Sequence, residues 1–293
     1  MSSDGLSAHW QCGDGRSGPP MGKAHFDLQK LHGARTGARS GKASQSCRYN
    51  HGKTMENVVG KGVLMAAELR EAPDVVARQM ELLVRPLGEL AAVLKRRPPR
   101  VVVTCARGSS AHAANFGKHL IERHLGIPVA AVAPSIMTIY RQGLRLKRQL
   151  FLAISQSGRS DDLVEAASSA RAFGALTAAI VNDTDSPLAS TCDIVLPMAA
   201  GPELSVAATK TFVASIAILL NLTAYWAAER AIKAALDRLP ERLAVAAELD
   251  WAKAVCSLSR TNSLATLGRG PTLAIAQEAS LKLKEVQKIT WTR

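Results

Sequence analysis

Two short loops rich in serine and glycine hold the residues best suited to chemistry. One loop, residues 155–160 (Ser-Gln-Ser-Gly-Arg-Ser), follows the apolar run 150–154 and precedes Asp161 and Asp162, which open a helical pattern. The other, residues 106–110 (Ala-Arg-Gly-Ser-Ser), follows an apolar run in the same way. Hydroxyls and free backbone N–H groups at a helix N-terminus attract anions. A single glycine flanked by serines suits one phosphate rather than a pyrophosphate.

Other sites with recognisable sequence signatures are not indicated. No G-x-G-x-x-G follows a predicted strand, and neither a Walker A motif nor a G-x-S-x-G nucleophile elbow is present. The five cysteines are scattered, with no C-x-x-C pair, which predicts neither a disulfide framework nor a zinc site. We therefore expect no metal and no cofactor, and a reducing, cytoplasmic location. Ordinary helix capping remains the alternative for any one of the serines.

Alternating apolar runs and helical patterns must position these loops. Helices are predicted over 65–71 and 74–95, separated at Pro73. Strands are predicted over 100–105, 129–132, 150–154, 176–181 and 194–196. This alternation indicates a doubly wound, mostly parallel α/β sheet, whose ligands lie at the carboxyl ends of the strands. The apolar run 212–228 is expected to be a buried core helix rather than a membrane span, because it is short and interrupted by polar residues.

Four motifs in order resemble those of the sugar isomerase (SIS) domain family. The resemblance covers about residues 65–289 and includes the isomerase half of glutamine–fructose-6-phosphate aminotransferase and the glucosamine-6-phosphate deaminases of the same fold. It implies five-stranded parallel SIS domains, a phosphosugar ligand and a homodimer. The motifs are Ala-Arg-Gly-Ser-Ser at 106–110, Ser-Gln-Ser-Gly-Arg-Ser at 155–160, Glu-Leu-Ser-Val-Ala-Ala-Thr-Lys at 203–210 and Glu-Ala-Ser-Leu-Lys-Leu-Lys-Glu at 278–285.

The resemblance also implies roles for single residues. Glu285 would be the base that moves a proton between sugar carbons 1 and 2, and Glu278 lies two helical turns earlier on the same face. For Glu278 the alternative is a solvated ion pair with Lys282. Lys210 and Thr209 would either cap a helix or touch the ligand. The phosphate- and substrate-binding residues would be Ser109, Ser110, Ser155, Gln156, Ser157, Ser160, Val206, Ala208 and Glu278.

The chain departs from the family pattern at three positions in these motifs. Family members often carry a smaller residue at the position of Arg107, serine at Ala208 and glutamate at Arg159. These differences change the charge of the pocket. Glutamine-driven amination is not expected, because Ser2 follows Met1 and residues 1–54 are too few for a glutaminase domain. Deamination of an amino sugar phosphate, its reversal with free ammonia and plain isomerisation remain open.

Composition and an internal echo suggest the domain organisation. The net charge is +13, and residues 1–54 are basic, rich in glycine and serine, and predicted to be a disordered extension. A nucleic-acid-binding arm is the alternative, but basic charge alone predicts only non-specific attraction, so no nucleic-acid partner is expected. Residues 55–99 are predicted as N-terminal helices and 100–245 as the first SIS domain. Residues 263–272 echo 101–110, so 246–293 is predicted as the truncated start of a second copy.

The function expected from the sequence is an enzyme of amino sugar metabolism. It would bind a phosphosugar and interconvert glucosamine 6-phosphate and fructose 6-phosphate, as an isomerase, a deaminase or an aminotransferase-like enzyme. The alternative is a non-catalytic phosphosugar-binding SIS module, either a sensor or an inactive truncated chain.

Overall fold

A computed structural model describes residues 55–258, 261 and 263–286. The predicted disordered extension, 1–54, lies outside these residues, and so does the end of the predicted second copy, 287–293.

The centre of the fold is a five-stranded, all-parallel sheet in the order β2-β1-β3-β4-β5. The strands are β1 (Val102–Ala106), β2 (Val129–Ala131), β3 (Leu150–Ser155), β4 (Leu176–Val181) and β5 (Ile194–Pro197). The predicted α/β class, sheet type and strand positions are confirmed, with boundaries shifted by one or two residues. The helices are α1 (Met55–Leu82), α2 (Val84–Arg96), α3 (Gly108–Leu125), α4 (Ser135–Thr138), α5 (Asp161–Ala172), α6 (Pro187–Thr191), α7 (Lys210–Ala227), α8 (Arg230–Asp237), α9 (Leu239–Ala247), α10 (Ala252–Leu258) and α11 (Pro271–Val286).

Helices cover both faces of the sheet. Leu152 and Ile154 of β3 belong to a core built with α1, α2, α3 and α7, whereas Phe151 and Ala153 of the same strand belong to a second core with α4, α5 and α6. Successive side chains of a strand point to opposite faces, so a strand buried on both faces reads as one continuous apolar run. This is why β3 contains no charged residue.

The first helix is longer than predicted, because Pro73 does not end it. α1 continues through Pro73 to Leu82, and the boundary with α2 lies at Leu83 instead. Proline lacks the N–H that would bond the preceding turn and normally breaks a helix. Here Ala72, Val75 and Val76 on either side of it are buried, and α1 packs against α7 and α9. This burial offsets the lost backbone hydrogen bond.

The apolar run at 212–228 forms α7, the predicted core helix. By length and composition α7 could cross a membrane, but 67% of its apolar window is buried inside the protein. Its partners are α1, α2 and α3, and Leu219 packs where Gly117 of α3 leaves room for it. α7 is therefore a central packing element of the first core.

The sequence similarity between 101–110 and 263–272 corresponds only in part to a structural repeat. Gly108 and Gly270 both have positive φ values, 53° and 60°, and each comes at the start of a helix, α3 or α11. Residues 263–269, however, are irregular, where the echo predicted a strand. Instead of continuing a second sheet, this segment leads into α11, which packs against α3. A truncated second copy stays a prediction.

Candidate functional site

The two serine-rich loops lie side by side at the carboxyl edge of the sheet. β1 and β3 are neighbours, with Ala106 opposite Ile154. From β1 the chain moves to one side for β2 and to the other for β3, so the strand order reverses between them. Ligands of doubly wound sheets bind in the crevice at such a switch point. Arg107 connects the two loops directly, since its Nη2 donates to Ser160 Oγ at 3.4 Å.

The loop after β3 is shaped by its own side chains. Ser155 is buried, and its hydroxyl accepts a hydrogen bond from the backbone N–H of Gly158 at 3.1 Å. Ser157 Oγ accepts one from the N–H of Arg159 at 3.3 Å. Gly158 has φ +64°, and a Cβ there would overlap Ser186 Oγ. The loop conformation therefore requires glycine at this position.

The predicted phosphate-binding serines are not all used for helix capping. Ser160 is the N-cap of α5, but its side chain makes no capping bond. Ser109 and Ser110 lie in the first turn of α3 and are half-buried, and Gln156 and Ser157 are half-buried as well. Because the Ser160 hydroxyl makes no capping bond, it is available to a ligand at the edge of the loop.

A charged cluster joins α3 to α11 beside the serine loop at 106–110. Lys282 Nζ lies 3.2 Å from Ser109 Oγ, 2.9 Å from Glu285 Oε2 and 3.0 Å from Glu278 Oε1. His112 Nδ1 lies 2.7 Å from Glu278 Oε2. Lys282 thus links the predicted base, Glu285, to the serine loop at 106–110. We refer to Ser109, His112, Glu278, Lys282 and Glu285 as the α3–α11 cluster.

The two glutamates of this cluster differ in their surroundings. Glu278 is 5% exposed and held from both sides, by His112 and by Lys282. The pair of Glu278 with Lys282 exists as the helical spacing predicts, but it is buried rather than solvated. Glu285 keeps about a third of its side chain exposed. Of the two, Glu285 is better placed to meet a ligand, and Glu278 to orient the cluster.

A cleft opens next to the cluster at the ends of β1 and β2. Its volume is about 290 Å³, and its lining includes Thr104, Ala106, His112, Asn115 and Gln277. Asn115 Nδ2 donates to Gln277 Oε1 at 2.8 Å, a third polar contact between α3 and α11 in the described part of the chain. The contact of these two helices thus forms a wall of the cleft as well as the charged cluster.

The motif at 203–210 mainly stabilises the start of α7. Glu203 accepts hydrogen bonds from the N–H groups of Thr209 and Thr211 and from the Thr211 hydroxyl. Lys210 is buried, and its Nζ lies 2.6 Å from Glu71 Oε2. Lys210 is thus an ion-pair partner of α1. The Thr209 side chain makes no capping bond.

Val206 and Ala208 lie in the same segment, between β5 and α7. Val206 is 76% exposed and Ala208 is half-buried. β5 is separated from β3 by β4, so the segment follows a strand that does not carry a serine loop. The role of these two residues in lining a site stays a prediction.

Several pKa values are shifted near the loops. Burial raises the pKa of Cys105 at the end of β1 to about 12, so this thiol is not a nucleophile near neutral pH. The guanidinium of Arg159 holds the pKa of Asp183 below its usual value. Burial alone would raise the pKa of Glu68, but hydrogen bonds from Ser205 and from the Leu204 N–H lower it.

Two participants were not identified from the sequence. His112 pairs with a glutamate 166 residues away, and nothing in the local pattern connects them. The sequence identifies Arg107 only as a departure from the family pattern. Its position directly after a strand and within a serine loop could have indicated a role in the site. Both depend on how α3, α5 and α11 meet in space.

Comparisons with known proteins agree with this fold. The SIS domain model matches residues 97–225. Glutamine–fructose-6-phosphate aminotransferase of Symbiobacterium thermophilum is 36% identical over 205 residues, which are 66% of this chain and 33% of that protein. The Zymomonas mobilis enzyme of that name is 33% identical over 242 residues, 77% of this chain and 39% of that protein. The chain spans a third to two fifths of these relatives.

Two solved structures extend the comparison. A protein of Silicibacter pomeroyi DSS-3, assigned as a phosphosugar isomerase, superimposes with a TM-score of 0.74 at 45% identity, covering 76% of this chain and 68% of that one. The C-terminal domain of glucosamine-fructose-6-phosphate aminotransferase from Francisella tularensis gives a TM-score of 0.61 at 25% identity, covering 76% and 66%. With its five-stranded parallel sheet and paired serine loops, the chain belongs to the SIS domain family, with homology to the isomerase domain of glutamine–fructose-6-phosphate aminotransferase.

Proposed function

We propose that the chain binds a phosphosugar at its two serine loops and interconverts glucosamine 6-phosphate and fructose 6-phosphate. The observation that carries this proposal is the α3–α11 cluster, in which Lys282 contacts both Ser109 of a phosphate loop and the carboxylate of Glu285. A base and a phosphate-binding loop held by one side chain fit a substrate with its phosphate at one end and its reacting carbons at the other. By the family resemblance, the protein acts as a homodimer.

The chemistry needs one well-placed carboxylate. In the open-chain aldehyde form of glucosamine 6-phosphate, Glu285 removes the proton from C2, and the electron pair of that C–H bond gives an enaminolate with its charge on the C1 oxygen. Glu285 returns the proton to C1, the C1 oxygen takes a proton from the amino nitrogen, and a neutral imine remains at C2. Water adds to that imine and ammonia leaves, so glucosamine 6-phosphate and water give fructose 6-phosphate and ammonia. Lys282 orients the carboxylate throughout.

The serine loops supply the binding energy for the phosphate. Ser109, Ser110, Ser157 and Ser160 offer hydroxyls at the N-terminal ends of α3 and α5, where the helix dipole favours negative charge. Each hydrogen bond to a charged group contributes about 1.5 to 3 kcal/mol. Ser155, whose hydroxyl already bonds Gly158, holds the loop in shape.

Phosphorus NMR tests the proposal. Glucosamine 6-phosphate and fructose 6-phosphate are each incubated with the purified chain, with and without ammonium. We expect conversion of one ester into the other, and we expect Glu285→Gln to lower its rate by about 10² to 10⁴-fold, the usual contribution of a general base. Glu89→Gln, which removes an exposed glutamate paired with Arg85 on α2, is the control and should convert at the normal rate.

The other outcomes contradict the proposal in different ways. Broadened phosphate signals without conversion would refute the enzyme and favour a non-catalytic phosphosugar-binding module. Sharp, unshifted signals would refute phosphosugar binding itself. Conversion that survives Glu285→Gln would show that another group is the base.

A further inference from the structure

Two cationic side chains contact the serines assigned to phosphate binding, and they differ in how their charge is balanced. Lys282, at Ser109, lies between the carboxylates of Glu278 and Glu285, so two negative charges surround its one positive charge. Among the residues that the structure describes, Arg107, at Ser160, has one carboxylate partner, Asp162, 3.1 Å away. Of these two cations, Arg107 is therefore the less neutralised by neighbouring carboxylates and the better able to bind an added anion.

From this contrast, we propose that Arg107 is the cationic ligand of the substrate phosphate, and that Asp162 holds its guanidinium in place until the phosphate replaces the carboxylate. The inference rests on the proposed phosphosugar site and assigns its charge complement. It also specifies the ligand class, a phosphomonoester in its doubly charged form.

The position of Arg107 fits this role. It follows β1 directly, is the residue before α3, and contacts the residue before α5. Its guanidinium thus lies between the N-terminal ends of both helices, where the serine hydroxyls also converge. An arginine presents five N–H donors in a planar fork that matches phosphate oxygens. The bond to Ser160 uses one of these donors, so others remain for the phosphate.

The exchange of partners is energetically easy. The side chains of Arg107 and Asp162 are 61% and 30% exposed, and ion pairs that water reaches contribute little net stability. A phosphate dianion carries more charge than the carboxylate and, unlike it, also bonds to the serines. Asp162 keeps another role when it is released, since its Oδ1 accepts the N–H of Leu163 at 3.0 Å. The start of α5 therefore stays formed.

Isothermal titration with fructose 6-phosphate at fixed ionic strength tests the proposal on the full chain. We expect Arg107→Gln to weaken binding by about tenfold to a hundredfold, the range that corresponds to losing one charge-assisted hydrogen bond. Arg107→Lys should recover part of the affinity, because it restores the charge without the fork. We expect Asp162→Asn to tighten binding by about twofold to fivefold, because the competing carboxylate is gone.

Arg171→Gln is the matched control. Arg171 also forms an exposed pair with an aspartate, Asp193 at 2.9 Å, with the two side chains 54% and 29% exposed. It lies in the last turn of α5, whereas Arg107 lies at the other end of this helix. Its substitution should leave the affinity within about twofold of the wild type, since exposed pairs contribute little. Unfolding temperatures of all variants verify that each is folded.

The results separate this inference from the proposed function. If the wild type binds fructose 6-phosphate and folded Arg107→Gln binds equally well, the role of Arg107 is refuted while the phosphosugar site stands. If Asp162→Asn weakens binding, Asp162 is not a competitor and the exchange is wrong. If the wild type does not bind the ester at all, the proposed function fails, and this inference with it.

Discussion

The turn at Gly158 gives the sharpest test of how the serine loop at 155–160 is built. Gly158 has φ +64°, and a Cβ added there would overlap Ser186 Oγ and lie 2.6 Å from Ser186 Cβ. Substitution Gly158→Ala therefore combines two costs, a left-handed backbone for a residue with a side chain and a collision with the loop after β4. Gly126→Ala carries only the first cost, since φ there is +67° and a Cβ would have nothing within 4 Å.

The magnitudes follow from these two terms. A left-handed conformation costs a non-glycine residue about 1 to 2 kcal/mol. Forcing extra atoms into a packed site costs about 1 to 3 kcal/mol more. We expect Gly158→Ala to lower the free energy of unfolding by about 2 to 5 kcal/mol, and Gly126→Ala by about 1 to 2 kcal/mol.

Urea unfolding followed by circular dichroism measures both variants, and a double-mutant cycle isolates the collision. Ser186→Gly removes the atoms that the new Cβ would meet. Ser186 is the N-cap of α6, where its hydroxyl accepts the N–H of Ala189, but replacing a cap by glycine costs only a few tenths of a kcal/mol. In Gly158→Ala/Ser186→Gly the collision should disappear, so the two changes should be non-additive by about 1 to 3 kcal/mol.

Two results would refute this reasoning. If Gly158→Ala costs no more than Gly126→Ala, the loop moves aside freely. Alternatively, additive effects in the double variant would show that Ser186 is not what the new side chain meets. Either result would show that the loop shape is not set by this contact.

Two further predictions concern acid stability and thiol reactivity. The pKa of Glu68 is lowered in the folded protein, so its contribution to stability is present above the unfolded pKa, near 4.5, and is lost as pH falls through the folded value. Glu68→Gln should therefore make the urea midpoint less dependent on pH below about 4.5, and an unchanged pH profile would contradict the assignment. Burial raises the pKa values of Cys105 and Cys192 to about 12, so we expect neither thiol to react with a disulfide reagent at pH 8 until the protein unfolds. Mass spectrometry of peptides from the folded protein measures this, and rapid labelling of Cys105 would contradict its burial.

The sheet could be predicted from the sequence because its signals are local. Each strand reads as a short apolar run, and the rules for parallel α/β sheets place all the carboxyl ends at one edge. The residues 150–160 illustrate this, since the strand, the serine loop and the helix start are all visible in one stretch. The position of the serine loops can therefore be predicted from these rules without knowledge of any long-range contact.

The misses have a different physical origin. The local chemistry of Pro73 predicts the end of a helix, but burial of its neighbours Ala72, Val75 and Val76 overrides that preference. The pairing of His112 with Glu278 depends on how two helices far apart in the chain pack together. The similarity of 263–272 to 101–110 does not produce a strand, since 263–269 are irregular and pair with no strand in the described part of the chain. In each case tertiary contacts decide, and these are not encoded in a short window.

The packing of α11 on α3 brings two separate segments of the chain to the candidate site. The serine loops directly follow β1 and β3 of the sheet, whereas the candidate base Glu285 is carried by α11, which follows the last strand by more than seventy residues. Under the proposed function, substrate affinity and turnover would therefore depend on separate segments of the chain. Replacement of α11 would then convert the proposed enzyme into a receptor for the same ligand.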